Sequence, residues 1–120
     1  MDDAKLYWVA GILEGEGCFG INRRKAGRPG HEKMYENFRI EVNMTDEDII
    51  RRMHAWTGMG YVNGPYSYKK HPEWTPTWHL FIQRKAEAEP LARAVFPLMG
   101  VRRQQQIRTA FERLGLAPLD

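Results

Sequence analysis

An α+β domain, with one antiparallel sheet covered by helices on a single face, is the fold class that the sequence predicts. Three observations carry the prediction. Apolar residues recur at helical spacing in four segments and at every second position in four others. The strand-like segments come in adjacent pairs joined by short polar loops, which makes each pair an antiparallel hairpin. Helices that separate hairpins, in the order α-ββ-α-ββ-α-α, cover one face of a four-stranded sheet and leave the other face open to a partner.

The elements follow in order. Asp2 or Asp3 can cap a first helix bearing Leu6, Val9, Ala10, Ile12 and Leu13, which should stop near Gly17. From Cys18 the period becomes two, with Phe19, Ile21 and Arg23 on one side and Gly20, Asn22 and Arg24 on the other. The loop KAGRPGHEK (25–33) leads to a strand that sets Phe38, Ile40, Val42 and Met44 against Tyr35, Asn37, Arg39, Glu41 and Asn43. Thr45, followed by Asp46, Glu47 and Asp48, reads as the cap of a second helix carrying Ile49, Ile50, Met53 and Trp56, ended by Gly58 and Gly60.

A second hairpin pairs Tyr61–Tyr68 with Trp74–Gln83 around the turn KKHPE (69–73). Two helical stretches close the chain, one with Leu91, Ala94, Val95 and Leu98, the other with Val101, Ile107, Ala110, Phe111 and Leu114. Trp8, Trp56 and Trp78 fall on apolar stripes and are expected in the core.

With 120 residues and 42% hydrophobic content, the chain fits one domain over 1–120. A formal net charge of +3 suits a polyanionic partner but is common among soluble proteins. The only cysteine, Cys18, has no internal disulfide partner, and no Cys/His spacing suits zinc. The opening MDDAKLYW fits neither a secretory signal nor a transit peptide, and no apolar run approaches the roughly 20 residues of a membrane span. The expectation is a cytoplasmic or otherwise intracellular protein with no membrane association.

The segment VAGILEGEG (9–17) departs from what a stable helix prefers. Gly11 and Gly15 lie four apart on one face, each costing about 1 kcal/mol relative to alanine. Glu14 and Glu16 crowd the C-terminal end, where the helix dipole disfavours each carboxylate by about 0.3–1 kcal/mol. One reading is a core helix that ends in a solvated acidic turn. The other joins both departures: two copies pack through small residues at a dyad, so that two Glu16 carboxylates meet at its base and hold hard divalent cations near a phosphodiester.

Val9 to Gly17 resembles, position by position, the signature of the LAGLIDADG homing endonucleases. Tyr7-Trp8, Cys18-Phe19, the GMGYV run at Gly58–Val62 and the Pro97–Gln105 stretch extend the resemblance over nearly the whole chain. It implies the homing-endonuclease fold and, with a single motif, a homodimer whose interface is formed by Val9, Ala10, Gly11, Leu13 and Gly15. It further implies a double-stranded DNA substrate, Mg2+ or another divalent cation on Glu16, and transition-state support from Arg102, with Arg103 beside it. The family's water-positioning glutamine falls on Met44, which cannot do that work, and Asn43 points to the opposite face.

In that family the open sheet face lies in the major groove. Strand parity supplies its members here: Asn22, Arg24, Tyr35, Asn37, Arg39, Glu41, Tyr61, Asn63, Thr75, Thr77 and His79, side chains able to pair with base edges. A solvated sheet face would look much the same. Arg28, with Lys25, Lys33, Lys69 and Lys70, would extend the footprint along phosphates. The expected function is a site-specific homing endonuclease, encoded by an intron, intein or freestanding gene, that cuts a long pseudo-palindromic site. The alternative is a non-cleaving maturase or regulator on the same scaffold, favoured by Met44.

Overall fold

The computed structural model describes residues 1–119 and realises the expected order. The elements are α1 (Asp3–Glu16), β1 (Gly17–Ala26), β2 (Lys33–Met44), α2 (Glu47–Thr57), β3 (Tyr61–Tyr66), β4 (Thr77–Ile82), α3 (Lys85–Val95), a 3-10 turn (Phe96–Leu98) and α4 (Val101–Arg113). The strands form one antiparallel sheet in the order β1-β2-β4-β3. The long β1–β2 hairpin runs in unbroken register from Gly17↔Val42 to Ala26↔Lys33.

Period-two alternation does what the sequence predicts. Phe38, Ile40 and Val42 of β2 and Leu80 and Ile82 of β4 are buried against the helices, while their neighbours face outward. Val9 and Leu13 of α1, Ile50 and Met53 of α2, Leu91 and Val95 of α3, and Ile107 and Phe111 of α4 close the core from one side. Burying such a continuous apolar layer is the main favourable term in the fold.

Several boundaries differ from the sequence reading. The second hairpin is shorter, with β3 ending at Tyr66 and β4 beginning only at Thr77. Pro72 and Pro76 remove ladder donors there. The segment between folds on itself through a Tyr68↔His71 bridge and a Trp74 N–H to His71 carbonyl bond of 3.0 Å. Asp2 caps α1 as expected, its carboxylate accepting the Lys5 N–H at 2.8 Å. At α2 the N-cap is Asp46 rather than Thr45, and its side chain makes no capping bond.

Val101 is 87% exposed and not part of the α4 stripe, and Ala94 and Leu98 are exposed as well. The 3-10 turn at Phe96–Leu98 rotates the chain between α3 and α4, so one helical period cannot carry through. Trp8, Trp56 and Trp78 lie at the core's margin, half-buried. Trp8 and Trp56 meet edge-on at 5.0 Å, and the Arg52 guanidinium lies over both rings.

Candidate nucleic-acid interface and catalytic corner

The turn from α1 into β1 is tight. Gly17 follows Glu16 directly and donates its N–H to Leu13 O, and a Cβ on Gly17 would lie 2.6 Å from that same carbonyl. Only glycine fits this close approach. The turn presents Glu16, exposed, at the corner where helix and sheet meet.

The two crowded glutamates have different fates. The Glu14 carboxylate accepts the backbone N–H of Gly100, the N-cap of α4, where the helix dipole favours negative charge. Arg103, buried, donates Nε to the Glu14 backbone carbonyl at 3.0 Å and lies 3.8 Å from its carboxylate. Glu14 therefore ties the end of α1 to the start of α4. Glu16 has no hydrogen bond or ion pair among the described residues.

Glu16 lines a hollow of about 310 Å³ with Asn43, Met44, Thr45, Asp46 and Thr77. Five of these six bring oxygen donors, and the Asp46 carboxylate, which does not cap α2, has no hydrogen-bond or ion-pair partner among the described residues. This donor set suits a hard cation. One protomer supplies only two carboxylates here, and among the described residues no group of three or more His, Cys, Asp or Glu could hold a metal ion. Met44 is half-buried and packs against the core, so its position offers no polar group to order solvent.

Arg102 stands exposed in the first turn of α4, without a hydrogen-bond or ion-pair partner among the described residues, and lines a different opening. That opening is a groove of about 930 Å³ between β1 and α4, walled by Phe19, Ile21 and Val101 and edged by Arg23, Arg102 and Arg113. Arg102 and Glu16 thus line different openings, not one pocket. Sequence reasoning named Arg103 only as a neighbour and missed its buried structural role. Its helical phase, one face with Ile107 and Ala110, was the available signal.

The face of α1 turned away from the core is narrower than the sequence reading held. Val9, Ala10 and Leu13 are buried within the protomer and are corrected from interface to core. Gly11 and Gly15 are exposed, and a Cβ on either would meet nothing within 4 Å. Tyr7, 58% exposed, continues their stripe toward the N-terminus.

On the open sheet face Asn22 pairs in register with Asn37, Arg24 with Tyr35, and Gly20 with Arg39. Arg24 lies over the Tyr35 ring at 5.4 Å. Arg39 is half-buried, and its Nε is buried without a hydrogen-bond partner among the described residues. Asn37 Nδ2 donates to the Phe38 and Gln83 carbonyls, which ties it to the strand ends. His79 Nδ1 lies 3.4 Å from the Glu41 carboxylate and its Nε2 3.4 Å from Thr77 Oγ1.

Tyr61 and Asn63 sit on this face through their register with Phe81 and His79. One expected member, Thr75, lies off the sheet in the loop before β4, and Arg28 lies in the loop of the first hairpin. His79, its side chain 17% exposed, sits between Tyr66 and Phe81 as a packed ring more than a free donor.

Neither a protein-family model nor a curated protein matches the sequence. Solved structures match in three dimensions. An archaeal intron-encoded homing endonuclease complexed with DNA is 13% identical, with a TM-score of 0.62 over 90% of this chain and 65% of that one. The group I intron-encoded homing endonuclease I-CeuI, also complexed with DNA, is 13% identical at a TM-score of 0.67, over 95% of this chain and 55% of that one. The LAGLIDADG homing endonuclease I-LtrWI bound to target DNA is 17% identical at 0.62, over 96% and 38%. This chain therefore spans less than two thirds of each of these proteins. At such identities the likeness is one of architecture, and architecture and motif agree: the chain has the LAGLIDADG homing-endonuclease fold.

Proposed function

We propose that this protein is a metal-dependent, site-specific endonuclease for double-stranded DNA that works as a homodimer inside the cell, in the mobility of an intron or intein. The single observation that carries this reading is the split between two adjacent carboxylates. Glu14 has a structural task, whereas Glu16 stands free at the corner beside Asn43, Thr45 and Asp46.

Glu16, with Asp46 as its neighbour, would hold Mg2+ or another divalent cation. Once bound, the cation supplies activation of water and neutralisation of charge on the phosphate. A second copy packed on the Gly11/Gly15 face would bring a second Glu16 and give one corner per strand. Arg102 offers its guanidinium to the charge that develops on the phosphate oxygens, held in place by the Glu14–Gly100 tie at the base of α4. The open face, through Asn22, Arg24, Arg39 and Glu41, would lie along base edges, and Arg28 along phosphates.

A second reading, a DNA- or RNA-binding module that does not cut, has one observation in its favour: Met44, half-buried against the core, lines the Glu16 hollow where a polar group would be needed. Cleavage of a randomised duplex library with magnesium, beside Glu16→Gln, separates the two. The endonuclease reading expects paired cuts at one pseudo-palindromic sequence that vanish in Glu16→Gln while binding persists. Retention of the library without cuts by the unmodified protein supports the binding module.

A further inference from the structure

β1 is an edge strand of the sheet, and α4 packs against its helix-side face. The groove of about 930 Å³ between them has an apolar floor and carries formal charge only on its rim. Phe19, buried, and Ile21, half-buried, form the floor from β1, while Ala110, buried, and Val101, 87% exposed, belong to the α4 side.

Two rows of α4 residues spaced four apart make the wall: Val101, Gln105 and Thr109 in one, Arg102, Gln106 and Ala110 in the other. Such rows are the ridges between which a row of side chains from another helix seats. The polar groups midway along the wall are held within the protomer. Gln105 Nε2 donates to Thr109 Oγ1 at 3.1 Å, and Gln106 Oε1 accepts from Arg103 Nη1 at 3.0 Å. The wall is therefore ordered before any ligand arrives, which lowers the cost of binding.

The rim is cationic throughout. Arg102 lies in the first turn of α4 and Arg113 at its end, about 16 Å apart along the axis by helical rise, and Arg23 stands on β1. Arg102 and Arg113 have no hydrogen-bond or ion-pair partner among the described residues, and no carboxylate lines the groove. Arg23 alone meets one, Glu36, at 3.5 Å in an exposed pair.

An open apolar floor with a charged rim marks an interaction site. A phosphate backbone matches the arginines but has nothing apolar to set against Phe19, Ile21 and Val101. A second copy of this chain, at a formal net charge of +3, brings net positive charge to a positive rim. A helix with carboxylates flanking an apolar stripe matches floor, wall and rim together.

We propose that the groove between β1 and α4 is a docking site for an acidic amphipathic helix of a partner protein. About three turns span the distance from Arg102 to Arg113, with the apolar stripe on Phe19, Ile21 and Val101 and carboxylates at the three arginines. Docking there depends neither on DNA binding nor on cleavage.

The test is anisotropy titration of the full chain against three labelled peptides of about 15 residues, each lactam-bridged to hold a helix that would be marginal alone. One has leucines at helical spacing and glutamates elsewhere. The second replaces the glutamates with lysines, and the third scatters the leucines off the stripe. The leucine/glutamate peptide is expected to bind at least 10-fold more tightly than either control, a margin of about 1.4 kcal/mol. Thr109 and Arg113 are exposed, so substitutions there spare the core. Thr109→Trp, which fills the groove, should weaken the peptide by about 10-fold or more, as loss of a well-packed contact does. Arg113→Glu should weaken it about 5-fold, the most that one exposed ion pair is worth, and strengthen the lysine peptide instead. Hydrogen exchange should show added protection in β1 and α4. No binding by the leucine/glutamate peptide, equal binding of all three, or protection on another face would overturn the proposal. So would a shift of the unliganded protein from dimer to monomer in Thr109→Trp, because the groove would then be filled by a second copy.

Discussion

Gly20 and Arg39 face each other across the β1–β2 ladder, and the guanidinium fills the space that a side chain at position 20 would take. A Cβ there would lie 3.2 Å from Arg39 Nη2. The absent side chain lets a long cation lie flat on the sheet, with its Nε buried and without a hydrogen-bond partner among the described residues.

Gly20→Val should therefore lift Arg39 from this position. Competition binding against single-base-pair variants of a selected DNA site checks it. Arg39→Ala is expected to cost about 1–3 kcal/mol of discrimination at one base pair, the value of one good bidentate contact. Gly20→Val should show much of the same loss, with little change in melting temperature because valine suits a strand. Full discrimination in Gly20→Val would show that Arg39 reads bases from another position.

Glu14→Ala should loosen the corner by removing the acceptor for the Gly100 N–H and the partner of Arg103. Hydrogen bonds to charged groups are worth about 1.5–3 kcal/mol. The Glu14 side chain is 41% exposed, so solvent screening reduces the expected loss to about 1 kcal/mol. Urea unfolding should show a lower midpoint at unchanged slope, and Glu14→Gln should lie between Ala and the unmodified chain. A Glu14→Ala midpoint equal to the unmodified one would remove Glu14 as the tie between α1 and α4.

Gly11 and Gly15 separate protomer stability from assembly. Because a Cβ at either meets nothing within 4 Å, Gly→Ala at both should raise helix stability by about 0.5–1 kcal/mol each. Gly11→Leu and Gly15→Leu should fold equally well but block close packing of two helices. Sedimentation of both leucine variants is expected to shift the dimer toward monomer. An unmodified protein that is monomeric with and without DNA would refute assembly through this face.

Much of this architecture can be read along the chain because it depends on short-range periodicity. The alternation of Phe38, Ile40 and Val42 marks the core side of β2 from the sequence alone, and Asp2 announces the start of α1 through its own first turn. The glycine-rich segment from Val9 to Gly17 likewise marks where α1 ends, and Gly17 makes its tight exit. Where local signals compete, the reading slipped. Tyr61 to Tyr68 and Trp74 to Gln83 look like matched strands, yet Pro72, Pro76 and the ring stack at the tip end the ladder early.

By itself, then, the sequence determined the order of elements, the two faces of each strand and the glycine-rich segment that carries the acidic corner. All three follow from rules acting over a few residues. The tertiary structure alone decided which face of α1 turns inward, placing Val9, Ala10 and Leu13 in the core and leaving Gly11 and Gly15 outside. It also decided which of two neighbouring glutamates stays free. Glu14 is engaged by Gly100 and Arg103, 86 and 89 residues further along the chain, and no periodicity reports contacts at that separation. They exist because helix packing over the sheet brings the start of α4 against the end of α1, and the carboxylate that this contact leaves unpaired among the described residues is Glu16.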